Sequence, residues 1–333
     1  MQLQSPAPIE SSPLHAVEVP DPIVGQREVR VEVSCCAVCR TDLHVIERDL
    51  EPMKSPIIPG HQVVGVVDQL GPNCKRLKLG QRVGIAWLRH TCGQCRFCTR
   101  GRENLCEFSQ YTGYHADGGY AEYATVPEDF AYEIPDGFND DIALSPLLCA
   151  GIIGYRSLKR ANLPKRGTLV LFGFGSSAHI VMQIALHGKC RVLVVTRSDS
   201  HQKLARDLGA HVSVGDVRDL RGEKANSAIV FAPLGALVPQ ALGALDRGGT
   251  ISLAGIHMSP IPQIDYDRQL FQERDIHPVT ANTRDDGREL LRAALEAGVK
   301  PRTTVYPLTE ANRALLDLKQ DRIDGTAVLT VAS

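Results

Sequence analysis

After about residue 151 the chain alternates short apolar runs with amphipathic segments, and no other feature limits its possible folds as tightly. "GTLVLFGFG" leads into a helical "SSAHIVMQIALHG". Then come "RVLVVT", the helix-like "SDSHQKLARDLG", "AHVSV", "SAIVFAP", the helix-like "LVPQALGALDRGG" and "TISLAGI". Apolar strands alternating with amphipathic helices predict βαβ units and a parallel sheet. The first unit contains Gly173-x-Gly175-x-x-Ala178 between its strand and its helix. There the first glycine permits the tight turn, the second lets backbone approach a pyrophosphate, and the small third residue allows close helix–strand packing. The anion rests on the helix N-terminus, so the segment predicts a dinucleotide site.

The first 150 residues have a different texture. "REVRVEV" alternates Val29, Val31 and Val33 with polar residues, the period of a half-buried strand. "HQVVGVVDQLG" and "KLGQRVGIAW" are further strand candidates bounded by glycine and proline. After about residue 282, "GRELLRAALEAG" and "EANRALLDLKQ" are helix-like and "GTAVLTV" is a final strand. A chain of 333 residues has room for about two domains, each with its own core. The formal net charge is −1 and no Lys/Arg block stands out, which argues against a nucleic-acid surface or a basic membrane patch. The N-terminus lacks the pattern of a secretory signal, and no apolar run approaches the ~20 residues that span a bilayer. A cytoplasmic protein is expected. In a reducing compartment its ten cysteines have no disulfide role, so close spacings predict metal sites or chemistry.

The densest such spacing is "CGQCRFCTRGRENLC", in which Cys92, Cys95, Cys98 and Cys106 sit in one short polar loop. Four thiolates can close a tetrahedral shell around Zn²⁺, and a shell with no open position is structural. Such a site would fold a loop that has few apolar residues of its own. An iron–sulfur cluster uses the same four thiolates, and spacing alone does not exclude it. A second polar stretch, "CRTDLH", runs from Cys39 to His44 and places a thiol, a hydroxyl, a carboxylate and an imidazole within one turn or two of chain.

"CRTDLH", "PIIPGHQVVGVV", the four-cysteine lobe, "DGGYAEY", "LLCAGIIGYRSL" and "GFGSSA" occur in that order. Together they resemble the medium-chain zinc-dependent alcohol dehydrogenases of bacterial type, over essentially the whole chain. The resemblance implies an α/β protein with a chaperonin-10-like, β-rich catalytic domain and a Rossmann dinucleotide-binding domain. Residues 1–150 would form the N-terminal part of the catalytic domain with both zinc sites. Residues 151–281 would bind the cofactor, and residues 282–333 would complete the catalytic domain, with the active site in the cleft between the domains. By resemblance Cys39, His61 and Cys149 match the catalytic zinc ligands, although the three lie far apart in sequence. Three protein ligands leave a fourth position open, where Zn²⁺ acts on an alcohol or aldehyde oxygen as a Lewis acid. Thr41 matches the hydroxyl that relays the alcohol proton, and His44 the outer imidazole that passes it to solvent, a task suited to histidine chemistry. Asp42 matches the carboxylate that orients the ligand histidine. Arg40 resembles a contact to the cofactor pyrophosphate, and Trp87 a wall of the substrate pocket. Cys74 and Cys190 have no indicated role.

Two positions depart from the family pattern. The residue after His61 is Gln62, where glutamate is usual, so the site carries about one positive charge more. At the end of the second Rossmann strand, Thr196 stands where NAD-binding units carry an acid that holds the ribose hydroxyls. Arg197 and Ser198 follow, and both can hold a phosphate. NADP is therefore expected over NAD. The resemblance implies two zinc ions per chain, a small alcohol or aldehyde as substrate, and a homo-oligomer, tetramer or dimer. A zinc-free quinone reductase of the same superfamily and a cofactor-binding protein without turnover are the competing readings. The presence of Cys39, His61 and Cys149 together argues against the first, and that set beside the intact Thr41–His44 relay argues against the second.

Overall fold

A computed structural model describes residues 1–331. Two compact units are present. One comprises Met1–Ala150, Ala281–Leu295 and the chain from Pro301 onward, and the other Gly151–Thr280 with Glu296–Lys300.

The first unit is built on a seven-stranded sheet. Its strands run in the order Thr303–Pro307, Thr326–Thr330, Glu28–Ala37, Val63–Leu70, Arg82–Ile85 and Ala131–Glu133, with Tyr123–Pro127 also pairing to Glu28–Ala37. All pairings are antiparallel except that of the two C-terminal strands. The alternation of Val29, Val31 and Val33 has its physical outcome in the core, where they are 0%, 0% and 4% exposed. Burial of each such side chain contributes about 1.5–3 kcal/mol. Ile85, Leu88, Tyr120 and Leu329 extend the same core. Strand Glu28–Ala37 ends with only Val38 before Cys39, so the sheet fixes where the polar stretch begins.

The second unit is a six-stranded parallel sheet in the order Val212–Val214, Arg191–Val195, Thr168–Phe172, Ala225–Val230, Leu245–Leu253 and Asp275–Pro278. In chain order this is 3-2-1-4-5-6, the doubly wound order of a Rossmann unit. Helices Ser176–His187, Asp199–Asp207 and Leu237–Ala244 connect the strands. Two differences from the sequence reading appear. The helix read in "LVPQALGALDRGG" stops at Ala244, and Leu245 already belongs to the next strand. Its last residues take the strand because Leu245 pairs with Ala225, ahead of a register shift at Ser227. The sixth strand, Asp275–Pro278, carries no strand signal in the sequence, because this edge strand is short, partly exposed and ends in proline. Among the described residues, no helix is long and apolar enough to cross a membrane.

Candidate metal centres and cofactor site

Cys39 occupies the N-cap of helix Arg40–Ile46 in an extended conformation. Its backbone N–H donates to Asp42 Oδ2 at 2.8 Å, a reciprocal cap that fixes the first turn. Asp42 is 2% exposed, and Tyr120 donates its hydroxyl to the same oxygen at 3.0 Å. The other oxygen, Oδ1, lies 2.9 Å from His61 Nδ1. His61 follows Gly60, whose φ of +97° and approach to the Tyr120 ring leave no room for a side chain, since a Cβ would lie 2.4 Å from that ring. Cys149 arrives from a third direction, at the end of the short turn Ser145–Leu148 and just before helix Ala150–Arg160.

These elements bring the thiols of Cys39 and Cys149 to 3.9 Å from each other. With a nitrogen of His61 they form a set of donor atoms that all lie within 4.8 Å of one another. His61 Nε2 is buried without a hydrogen-bond partner, while Nδ1 is held by Asp42. A buried imidazole nitrogen left unpaired is costly unless something binds it. Two sulfurs and that nitrogen match the donor chemistry of Zn²⁺ with one position open. Thiol electrostatics agree. The hydrogen bond from Cys149 and the neighbouring His61 push the Cys39 thiol well below its ordinary pKa. The same contact, with burial, pushes Cys149 well above it. Burial opposes protonation of His61, but the charge and hydrogen bond of Asp42, together with Cys39, raise it to about 10. The metal-free site therefore stores protons that a cation would displace.

Thr41 is buried, and its Oγ1 lies 3.6 Å from Cys39 Sγ. His44 sits in the last turn of the same helix, with Nδ1 2.8 Å from Asp49 Oδ2. The exposed Arg40 makes an ion pair with Asp321. Trp87 places its ring 4.9 Å from the His61 ring, edge-on at 69°, and stacks on Tyr111 at 4.9 Å. Gln62 is buried beside His61, and its Oε1 accepts from Ala150 N–H at 3.4 Å. Sequence reasoning missed Tyr120 and Ser145 as parts of this site. "DGGYAEY" contained the first, but nothing local ties it to Asp42.

All ten cysteines are free thiols. Cys92, Cys95, Cys98 and Cys106 form a second set of potential donors within 4.8 Å. Their sulfurs approach to 3.5 Å for Cys95–Cys98 and 3.6 Å for Cys92–Cys106. Backbone N–H groups point at them, from Cys95 to Cys92 Sγ at 3.3 Å and from Cys92 to Cys106 Sγ at 3.4 Å. Backbone donors at Gln94 and Cys95 draw the Cys92 thiol down to about 7, so it is readily a thiolate.

In the second unit, Gly173 has φ +85° and Gly175 caps helix Ser176–His187. A Cβ on Gly175 would meet nothing within 4 Å, so the loop is open where a ligand would come close. Ala178 is fully buried. Thr196 follows strand Arg191–Val195, donates its N–H to Val214 O at 2.9 Å and is 8% exposed. Arg197 is exposed, and Ser198 caps helix Asp199–Asp207 by accepting from His201 N–H at 3.4 Å.

A doubly wound nucleotide-binding unit together with a β-rich unit that gathers two sets of metal donors defines a nucleotide-dependent dehydrogenase. Residues 25–136 match the alcohol dehydrogenase GroES-like domain, and residues 178–296 match the zinc-binding dehydrogenase domain. The chain is 50% identical over 335 residues to a probable alcohol dehydrogenase of Mycobacterium tuberculosis, covering 99% of this chain and 96% of the relative. It is 35% identical over 328 residues to an alcohol dehydrogenase of Geobacillus stearothermophilus, covering 96% of each. A thermostable alcohol dehydrogenase from Pyrobaculum aerophilum, solved with cobalt and zinc bound, superposes with a TM-score of 0.87 at 25% identity, over 99% of this chain and 98% of that one. The chain belongs to the medium-chain zinc-dependent alcohol dehydrogenase family.

Proposed function

We propose that the protein oxidises small primary or secondary alcohols, and reduces the matching aldehydes or ketones, with NADP in preference to NAD and with two zinc ions per chain. The observation that carries this is the meeting of Cys39, His61 and Cys149 around an unpaired, buried His61 Nε2. Zinc held there would supply Lewis-acid polarisation of the substrate oxygen, and the nicotinamide would accept or deliver hydride. The remaining work falls to this chain's own side chains. Asp42 keeps the proton of His61 on Nδ1, so that Nε2 presents its lone pair. Thr41 and His44 lie three residues apart on one helix, on neighbouring turns of the same face, which suits a hydroxyl-to-imidazole proton relay. Asp49 would hold the His44 ring in place. Trp87, edge-on to His61, would give the substrate an apolar wall.

The four cysteines at 92, 95, 98 and 106 offer no open position and would hold zinc for stability alone. The turn from Gly173 to Ala178 would take the pyrophosphate, with Arg40 a further contact. Thr196 presents no carboxylate to a 2′-phosphate, while Arg197 and Ser198 supply donors to it. A zinc-free quinone reductase or a non-catalytic binder has no need of the three-donor set. A homo-oligomer is supported by the unpaired edge of strand Asp275–Pro278, which follows the exposed Tyr266 and Phe271. Ten free thiols accord with a cytoplasmic setting. The test is alcohol-dependent reduction of NADP and NAD, followed at the nicotinamide absorbance, over short, branched and aromatic alcohols. Activity that survives complete zinc removal would overturn the proposal.

A further inference from the structure

Resting on the zinc assignment above, we propose that Ser145 is a positioning residue that locks the three ligand-bearing segments to one another. It opens the turn Ser145–Leu148 that delivers Cys149, and it is fully buried. Its hydroxyl accepts from Ala37 N–H at 2.7 Å and donates to Gln62 C=O at 2.6 Å. Ala37 stands two residues before Cys39, and Gln62 directly follows His61. One hydroxyl thus bonds to backbone beside two ligands while riding on the segment that carries the third. Gln62 ties the far side of Cys149 as well, through Oε1 to Ala150 N–H at 3.4 Å.

A directional tether is needed at this point. The turn is packed by Leu147 and Leu148, both 1% exposed, but apolar contact is non-directional and tolerates small slides. Metal ligands must hold their geometry within about 0.5 Å. Hydrogen bonds at 2.6 and 2.7 Å, buried on both sides, supply that restraint. The hydroxyl is also separable from the fold. Ala37 N–H donates to Gln62 O as well, at 3.1 Å, so removing the hydroxyl leaves both backbone groups paired. The tether is lost and no buried group is orphaned.

The experiment compares Ser145→Ala with wild type and with Ser157→Ala, a control that removes another fully buried hydroxyl, bonded to Ile153 O at 2.7 Å within its own helix. Each full-length protein is loaded with cobalt(II), and subtraction of the Cys149→Ser spectrum isolates the visible bands of the Cys39–His61–Cys149 site. Ser145→Ala should melt close to the control yet show shifted bands, lose that cobalt at about tenfold lower chelator concentration, and drop kcat about tenfold with the dinucleotide KM unchanged. If Ser145→Ala does not fold, Ser145→Cys, similar in shape with a weaker donor, takes its place under the same criteria. Wild-type bands and chelator resistance in the variant overturn the positioning role. Wild type that takes up no cobalt at this site refutes the zinc assignment instead, so the two failures are distinct.

Discussion

Replacing Asp42 by asparagine tests the site with the least change in shape. Asp42 faces three donors: Cys39 N–H at 2.8 Å and Tyr120 O–H at 3.0 Å on one oxygen, and the His61 ring at 2.9 Å on the other. An asparagine has an acceptor on one side only. If its carbonyl keeps Cys39 and Tyr120, its NH₂ faces His61 Nδ1. That nitrogen must then accept, so His61 gives up its Nδ1 proton and keeps the one on Nε2, the atom a metal needs. If the amide flips, NH₂ opposes the Cys39 N–H, which has no means of accepting. In the metal-free protein the first arrangement pairs Cys39 N–H, Tyr120 O–H and His61 Nδ1, and Nε2 stays as unpaired as it is in wild type, so folding should suffer little.

Zinc binding must instead return the proton to Nδ1 against a donor, or flip the amide and orphan a buried N–H, at about 1–3 kcal/mol. That corresponds to roughly a 5- to 150-fold loss of zinc affinity, in the range seen for partners of ligating histidines. The assay is zinc content after equilibration against graded chelator, beside thermal melts of the metal-free proteins. Asp42→Asn should lose one of two zinc ions at chelator levels that wild type resists, with a metal-free Tm near that of metal-free wild type. A variant that keeps wild-type zinc affinity at this site refutes the tautomer reasoning. A variant whose metal-free form collapses shows that Asp42 serves folding first.

The remaining predictions concern the other parts of the site. Cys92→Ser should leave one zinc per chain and lower the Tm, by about 2–4 °C for each kcal/mol lost, and an unchanged zinc count and melt would contradict a structural metal at the four-cysteine loop. Zinc uptake at the Cys39 site should tighten as pH rises: His61, raised to about 10, and Cys149, raised well above the ordinary thiol range, both give up protons on binding, while Cys39 is already a thiolate. Apparent affinity should climb by up to about 100-fold per pH unit between pH 7 and 9, measured with a competing indicator, and a flat profile would exclude displaced protons at these residues. Thr196→Asp should swing the kcat/KM ratio towards NAD by more than about tenfold, or 1.4 kcal/mol, because a carboxylate repels the 2′-phosphate. Wild type that already favours NAD would remove the basis for that substitution.

How far the fold could be read depended on where each strand lies. Leu169 to Phe172 and Val192 to Val194 are 0% exposed, so both faces of these strands demand apolar residues and the run is continuous in the sequence. Asp275–Pro278 has one free edge and partly exposed side chains, so no such demand marks it. Helix Ala150–Arg160 was visible only as a family motif, because Gly151 and Gly154 lower its helix signal. Gly154 is there for packing: a Cβ would lie 3.1 Å from Ser177 O on the neighbouring helix. Local propensity yields here to a contact that the sequence does not display.

The two candidate metal sites divide along the same physical line. Cys92, Cys95, Cys98 and Cys106 are joined by one short loop, so their spacing already encodes their meeting. Cys39, His61 and Cys149 come from a strand end, a glycine-led bend and a short turn, and nothing in their spacing brings them together. Asp42 links the local and the distant levels. Its position three residues after Cys39 is set by the helix cap, a rule of local chemistry that needs only one carboxylate oxygen. The second oxygen is then free to reach His61, so the group that starts the helix also sets the tautomer of a ligand from another segment. Because both duties fall on one side chain, Asp42→Ala, which removes both oxygens, should weaken the helix start and the metal affinity together, whereas Asp42→Asn keeps the cap and Ser145→Ala should disturb the metal site without touching that helix start.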